Sequence, residues 1–170
     1  MTKLPIGIQH FTVLREEGYV YVDKTELIYH LLSAGRFLFF ARPRRFGKSL
    51  LVTTLAELYR GNRALFQGLW IEDKIDWQPR PVILLNFNDL NYLDKPLAQA
   101  LAEYMDKLAA QQGLTLHATD HKQKFQELIT QLAEHGKIVL LVDEYDKPIT
   151  DLLENEQKVA EHVATLKNFY

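Results

Sequence analysis

Cysteine is absent from the sequence, which excludes disulfides, thiolate metal sites and cysteine nucleophiles. The six histidines are scattered without zinc-ligand spacing, which argues against a histidine metal centre. No apolar run approaches the ~20 residues of a membrane span. The first residues, Met1-Thr2-Lys3-Leu4-Pro5-Ile6-Gly7, lack the apolar core of a secretory signal, so a cytoplasmic chain without a membrane partner is expected. Neither charge sign dominates: the formal net charge is -2, which gives nucleic-acid binding no overall support. Internal repeats, low-complexity tracts and Gly/Ser linkers are missing too. What is present is ordinary for a soluble globular domain: 170 residues, 47% hydrophobic and 25% charged, enough for one substantial core.

Apolar patterning divides the chain into strands and helices. Tyr19-Val20-Tyr21-Val22 reads as a short strand. Asp23 then reads as an N-cap, with Glu26 three residues on, for a helix over 25–34 that Gly35 closes. Residues 37–41 read as a fully buried strand and 48–60 as a helix with Leu50, Leu51, Leu55 and Leu58 inward, ended by Gly61. A looser stretch holds Phe66, Leu69, Trp70, Ile71, Trp77 and Pro79. A second buried strand spans 81–87. Helices follow over 95–111 and about 121–134, and a third apolar strand over 138–142 runs into Asp143-Glu144. Residues 155–170 look helical. Continuously apolar strands separated by helices predict a parallel sheet covered on both faces, an α/β three-layer fold.

The chemistry gathers at Arg42-Pro43-Arg44-Arg45-Phe46-Gly47-Lys48-Ser49, between the first buried strand and a helix. That layout is a phosphate-binding loop. Gly47 lets the backbone approach an anion, and the amides and dipole of the following helix point at it. Lys48 supplies a point charge to the β- and γ-phosphates of a nucleoside triphosphate, and the Ser49 hydroxyl ligates Mg²⁺. The expected nucleotide-binding segment is therefore Arg44, Arg45, Phe46, Gly47, Lys48, Ser49 and Leu50. Arg42 stands where the general motif has its first glycine, and Pro43 offers no N–H, so the loop must take another path or donate fewer amides. Arg44 and Arg45 either compensate through side chains or are solvated or paired elsewhere.

Asp143 and Glu144 end the third apolar strand, at the sheet edge where such folds bind ligands. Asp143 is expected in the Mg²⁺ shell and Glu144 as the group that activates water. Asp146 has three open readings: metal shell, cap, or partner of an arginine. Lys147-Pro148 reads as a turn or helix start.

Together, Pro5-Ile6-Gly7, Tyr19-Val20-Tyr21-Val22-Asp23-Lys24-Thr25, the Arg42 to Ser49 string and Val142-Asp143-Glu144-Tyr145-Asp146-Lys147-Pro148 resemble the bacterial and archaeal AAA-ATPase-like family, over nearly the whole chain. The Arg-Pro-Arg-Arg variant of the loop belongs to that family's version. The resemblance implies a P-loop NTPase core, with 1–35 an N-terminal strand and helix and 36–170 the core through the acidic strand end. It implies ATP and Mg²⁺, with Lys48 and Ser49 on the nucleotide and metal, Asp143 on the metal and Glu144 as catalytic base. Family members often join this domain to a nuclease-like domain of the PD-(D/E)XK type, so such a domain or nucleic acid is a partner by analogy only. Asp23-Lys24-Thr25 also matches the family, either near the nucleotide base or simply as strand end and helix cap. Members often carry an acidic residue near Asn86 and Asn88, where this chain departs.

From Asp143 to the last residue there are 27 positions (170 − 143). The AAA-type strand order places a further strand between the loop strand and the Asp143 strand, and that strand is expected to be missing. The flanking strands closing up, another chain as in a homo-oligomer, or a weakly stable truncated product are the alternatives. The first expectation is Mg²⁺-dependent ATP hydrolysis, weak in this chain. The second is a non-hydrolysing nucleotide-binding module that regulates an attached effector. The third, nucleic-acid handling through the arginines, has the least support.

Overall fold

A computed structural model describes residues 3–43 and 45–169 and divides the chain into two units, Met1–Val82 and Ile83–Tyr170. The first unit is built around a short helix that periodicity did not predict, α1 (Phe11–Glu16), whose Phe11 and Leu14 are fully buried. Phe11 packs on Phe66 (4.8 Å between ring centroids) and edge-on against Tyr21 (5.2 Å), and Phe66 on Trp77 (4.9 Å). Burying such rings stabilises by roughly 1.5–3 kcal/mol each. Arg15 closes the cluster by donating to the carbonyls of Leu65 (2.7 Å) and Gln67 (2.6 Å).

The predicted helix after Asp23 is present as α2 (Thr25–Ser33), with Ile28 inward and Leu27 64% exposed. Asp23 caps it from one residue before the formal cap position: its Oδ1 accepts from the Thr25 amide (2.8 Å) and hydroxyl (2.7 Å). The helix after the loop is α3 (Lys48–Tyr59), with Leu55 and Leu58 buried as expected. Its Thr53 hydroxyl accepts from the Phe11 amide (3.1 Å) and donates to the Gln9 carbonyl (3.0 Å), fixing α3 to the start of α1. Gly61 ends α3 at φ +76°, where an added Cβ would stand 2.9 Å from the Trp77 carbonyl oxygen. The loose stretch beyond contains two 3₁₀ turns, Arg63–Phe66 and Trp70–Asp73.

The second unit follows the predicted βααβ order. Strand β1 (Val82–Asn86) pairs in parallel with β2 (Val139–Asp143), and the crossover consists of α4 (Leu97–Gln111) and α5 (His121–Ala133). The two helices pack on each other because their apolar residues share one stripe: Leu97, Ala100, Leu101, Tyr104, Met105 and Ala109 on α4, Phe125, Leu128 and Leu132 on α5. Asp120 caps α5 through the Lys122 (2.9 Å) and Gln123 (3.2 Å) amides. The chain ends in α6 (Lys147–Thr150) and α7 (Glu156–Phe169), with Leu166 and Phe169 joining the core.

The expected fold is met in part and two expected strands need correction. The fold is mixed α/β, and among the described residues the parallel sheet has two strands. Residues 37–41 form no strand: Phe37 is 98% and Phe39 75% exposed. A continuous apolar run is buried only where sheet neighbours and covering helices exist to bury it, and no strand among the described residues pairs with this run. The 19–22 strand reduces to one parallel bridge between Lys3 and Tyr19. Among the described residues no helix is long and apolar enough to cross a membrane.

Candidate functional site

In the first unit, the loop ends in two left-handed residues, Arg45 (φ 67°) and Gly47 (φ 74°), on either side of an exposed Phe46. For Gly47 this conformation is free of strain, while for Arg45 it costs about 1–2 kcal/mol. Gly47 is the N-cap of α3, and no side chain caps that end. The amides of the first turn, Lys48 to Leu50, are thus left for an outside acceptor, and the positive end of the helix dipole lies with them. No acidic residue occupies the first turn. Among the described residues Arg36, Arg42, Arg45 and Lys48 form no ion pair, so the open alternative of Arg45 paired to a carboxylate is not realised. The Arg42 guanidinium lies over the Phe40 ring at 4.8 Å. A concentration of uncompensated positive charge at an uncapped helix start is what an oligophosphate binds. Lys48 and Ser49, in the first turn of α3, are half-buried. Arg44 lies outside the described residues.

Asp23 is also in the first unit, and the structure resolves its two readings in favour of the cap. Besides Thr25, its carboxylate accepts the Trp70 amide through Oδ2 at 2.7 Å. Burial pushes its pKa up, but the Trp70 amide, the Thr25 hydroxyl and amide and the charge of Arg15 outweigh that and hold it below the ordinary value. Thr25 is fully buried and accepts the Ile71 amide at 3.2 Å. Asp23 and Thr25 are thus committed to tying α2 to the 3₁₀ turn at Trp70–Asp73. Lys24 between them is exposed.

The acidic residues belong to the second unit. Asp143 ends β2 and is 7% exposed. Its Oδ1 accepts the amide of Glu144 at 3.1 Å. Glu144 is half-buried and left-handed at φ 54°. Its carbonyl accepts the Lys147 amide at 3.0 Å, which starts α6. Among the described residues Arg45 and Glu144 are the two non-glycine positions with positive φ, and both fall in the motifs singled out by sequence. Neither strain was signalled by residue type. Asp146 stands at the N-cap of α6 without a side-chain capping bond and without an ion pair, so two of its three readings are not realised among the described residues.

Each unit carries an oxygen donor suited to a cation, the Ser49 hydroxyl in the first and the Asp143 carboxylate in the second. Among the described residues no cluster of three or more His, Cys, Asp or Glu side chains is poised to enclose a metal. Hydroxyl and carboxylate oxygens are the donor type of Mg²⁺, which keeps several waters and takes the rest of its shell from phosphates.

Comparison with known proteins agrees with the motifs. The model of the AAA-ATPase-like family, described as predicted AAA-ATPase, matches residues 5–170. A curated relative from Azotobacter chroococcum mcd 1, an uncharacterized protein in vnfD 5'region, is 42% identical over 177 residues. That match covers 99% of this chain and 34% of the relative, so the chain spans well under half of the relative's length. No solved structure matches.

Proposed function

The chain belongs to the predicted AAA-ATPase-like family, and from that membership we propose that it binds ATP through the loop before α3 and transfers the terminal phosphoryl group to water. The observation that carries this reading is the uncapped start of α3, bearing Lys48 and led by a left-handed Arg45 and Gly47. Lys48 and Arg45 neutralise phosphate charge, Arg44 adding to them by its place in the motif. The amides from Phe46 to Leu50 donate to phosphate oxygens, and Gly47 keeps a Cβ out of their way.

Ser49 and Asp143 are the residues that would hold Mg²⁺, which when bound offsets the charge on the β- and γ-phosphates. Glu144 orients a water and accepts its proton as the water oxygen bonds to the γ-phosphorus. The bond from that phosphorus to the β–γ bridging oxygen breaks, and ADP and inorganic phosphate leave. Positioning and charge supply most of the acceleration in such a reaction.

A second reading, nucleotide binding without turnover, is favoured by one observation: residues 37–41, which lead into the loop, are exposed except for a half-buried Phe40 and are not set in a sheet. ATP affinity and phosphate release in the wild type, Lys48→Ala and Glu144→Gln separate the two. Hydrolysis predicts at least tenfold weaker binding for Lys48→Ala, about 1.4 kcal/mol or more, and retained ATP with little release for Glu144→Gln. Affinity without release in every form would establish the second reading. A wild type without ATP affinity overturns both.

A further inference from the structure

Glu144 adopts a left-handed backbone although it is not a glycine. Such a residue persists only where its surroundings over-determine it. Its amide donates to Asp143 Oδ1 at the end of β2, and its carbonyl accepts the Lys147 amide at the start of α6. On its C-terminal side Glu144 is therefore only as well held as α6, and α6 is four residues long, too short to be stable alone.

Two buried side chains from distant parts of the second unit grip α6. His162 of α7, 6% exposed, meets the Pro148 carbonyl through Nδ1 at 2.7 Å. A carbonyl only accepts, so Nδ1 carries the proton and donates. Tyr92, 5% exposed and six residues past the end of β1 (92 − 86), donates its hydroxyl to Asp151 Oδ2 at 2.6 Å, just beyond the last residue of α6. The two rings also meet edge-on, with centroids 5.8 Å apart. Burial, then the hydrogen bond and charge of Asp151, push the Tyr92 phenol well above its ordinary pKa, so it remains the donor. Parallel pairing explains how Tyr92 gets there: β1 and β2 point the same way, so the segments leaving their ends emerge at one edge.

We propose that Tyr92 and His162 are positioning residues which, through Asp151 and Pro148 of the α6 turn, hold Glu144 in the backbone conformation its role as base requires. This rests on the assignment of Glu144 above. The function of α7 is then partly that of a brace for the catalytic turn.

The test combines amide exchange and ATP kinetics on the full chain for wild type, Tyr92→Phe, His162→Leu and His162→Asn. In Tyr92→Phe and His162→Leu the Lys147 amide is expected to exchange at least tenfold faster while the Met105 amide in α4 is unchanged. The turnover number should fall about tenfold with KM within twofold, the pattern of an interaction that matters in the transition state. His162→Asn, which returns an N–H near the place of Nδ1, should restore both. Unchanged Lys147 exchange overturns the proposal whatever happens to ATP, and so does faster exchange with unchanged turnover. A wild type that binds ATP without releasing phosphate removes Glu144 as base, and the exchange data alone then decide whether the two side chains hold the turn.

Discussion

Asp23 and Thr25 are joined by a hydrogen bond of 2.7 Å between carboxylate and hydroxyl, and each also takes an amide from the turn at Trp70 and Ile71. A motif shared with the family is here a structural latch. Thr25→Val preserves shape but leaves the buried Ile71 amide without an acceptor, so it should destabilise the chain by about 1–3 kcal/mol in chemical denaturation. An unchanged midpoint would show that the latch is not formed.

The same carboxylate gives the latch a pH dependence. Its folded pKa lies below the ordinary 3.8, so its contribution is complete above that value and is lost as pH falls from there through the lowered one. Asp23 is substantially exposed, which makes the effect modest. Stability curves of wild type and Asp23→Asn should therefore converge below about pH 4 and separate above it. Curves that stay parallel down to pH 2 would refute the assignment.

Gly61 tests the packing of the first unit. Alanine there needs φ +76° and would set its Cβ 2.9 Å from the Trp77 carbonyl oxygen, which is backbone and cannot turn aside. Gly61→Ala should cost about 2 kcal/mol or more, beyond the 1–2 kcal/mol of the left-handed conformation alone. Gly113, at φ +72° with open space around it, is the matched control, and its alanine variant should show only the conformational part.

Glu144 offers the opposite sign. Glycine relieves its left-handed strain, so Glu144→Gly should be as stable as wild type or more stable, by up to ~1 kcal/mol, while phosphate release is abolished. Glu144→Val, β-branched, should be less stable than wild type by a similar amount or more. Thermal melts of the three forms rank the positions directly. A glycine variant less stable than the valine variant would mean that Glu144 is not left-handed in solution.

Local and periodic features were legible in the sequence. The stripes on α4 and α5, the cap at Asp23 and the end of α3 at Gly61 all follow from side chains acting within a few residues of themselves. The candidate residues were legible as two separate motifs, because loop and helix start are contiguous in one stretch and the acidic strand end in another. What could not be read was contact over distance. Short α1 is held by Arg15 reaching across fifty residues to Leu65 (65 − 15) and has too few turns to show a period. Tyr92 and His162 sit in stretches with no motif. Arg45 and Glu144 take a backbone conformation that their residue types disfavour, so no local rule could signal it.

The stretch from Phe37 to Phe40 shows the same limit from the other side, and a single substitution decides it. Apolar content alone makes this run a buried strand, and in a buried strand Phe37→Ser would create a cavity around a polar group, costing upwards of ~3 kcal/mol. At 98% exposure Phe37 has almost no packing to lose. The change should then stay within about 0.5 kcal/mol of wild type, and binding of a hydrophobic dye should fall, because an exposed apolar ring has been removed from the surface. A loss of several kcal/mol would place Phe37 inside a sheet in solution, and the loop that follows it would then be carried by a strand, which would favour turnover over binding alone.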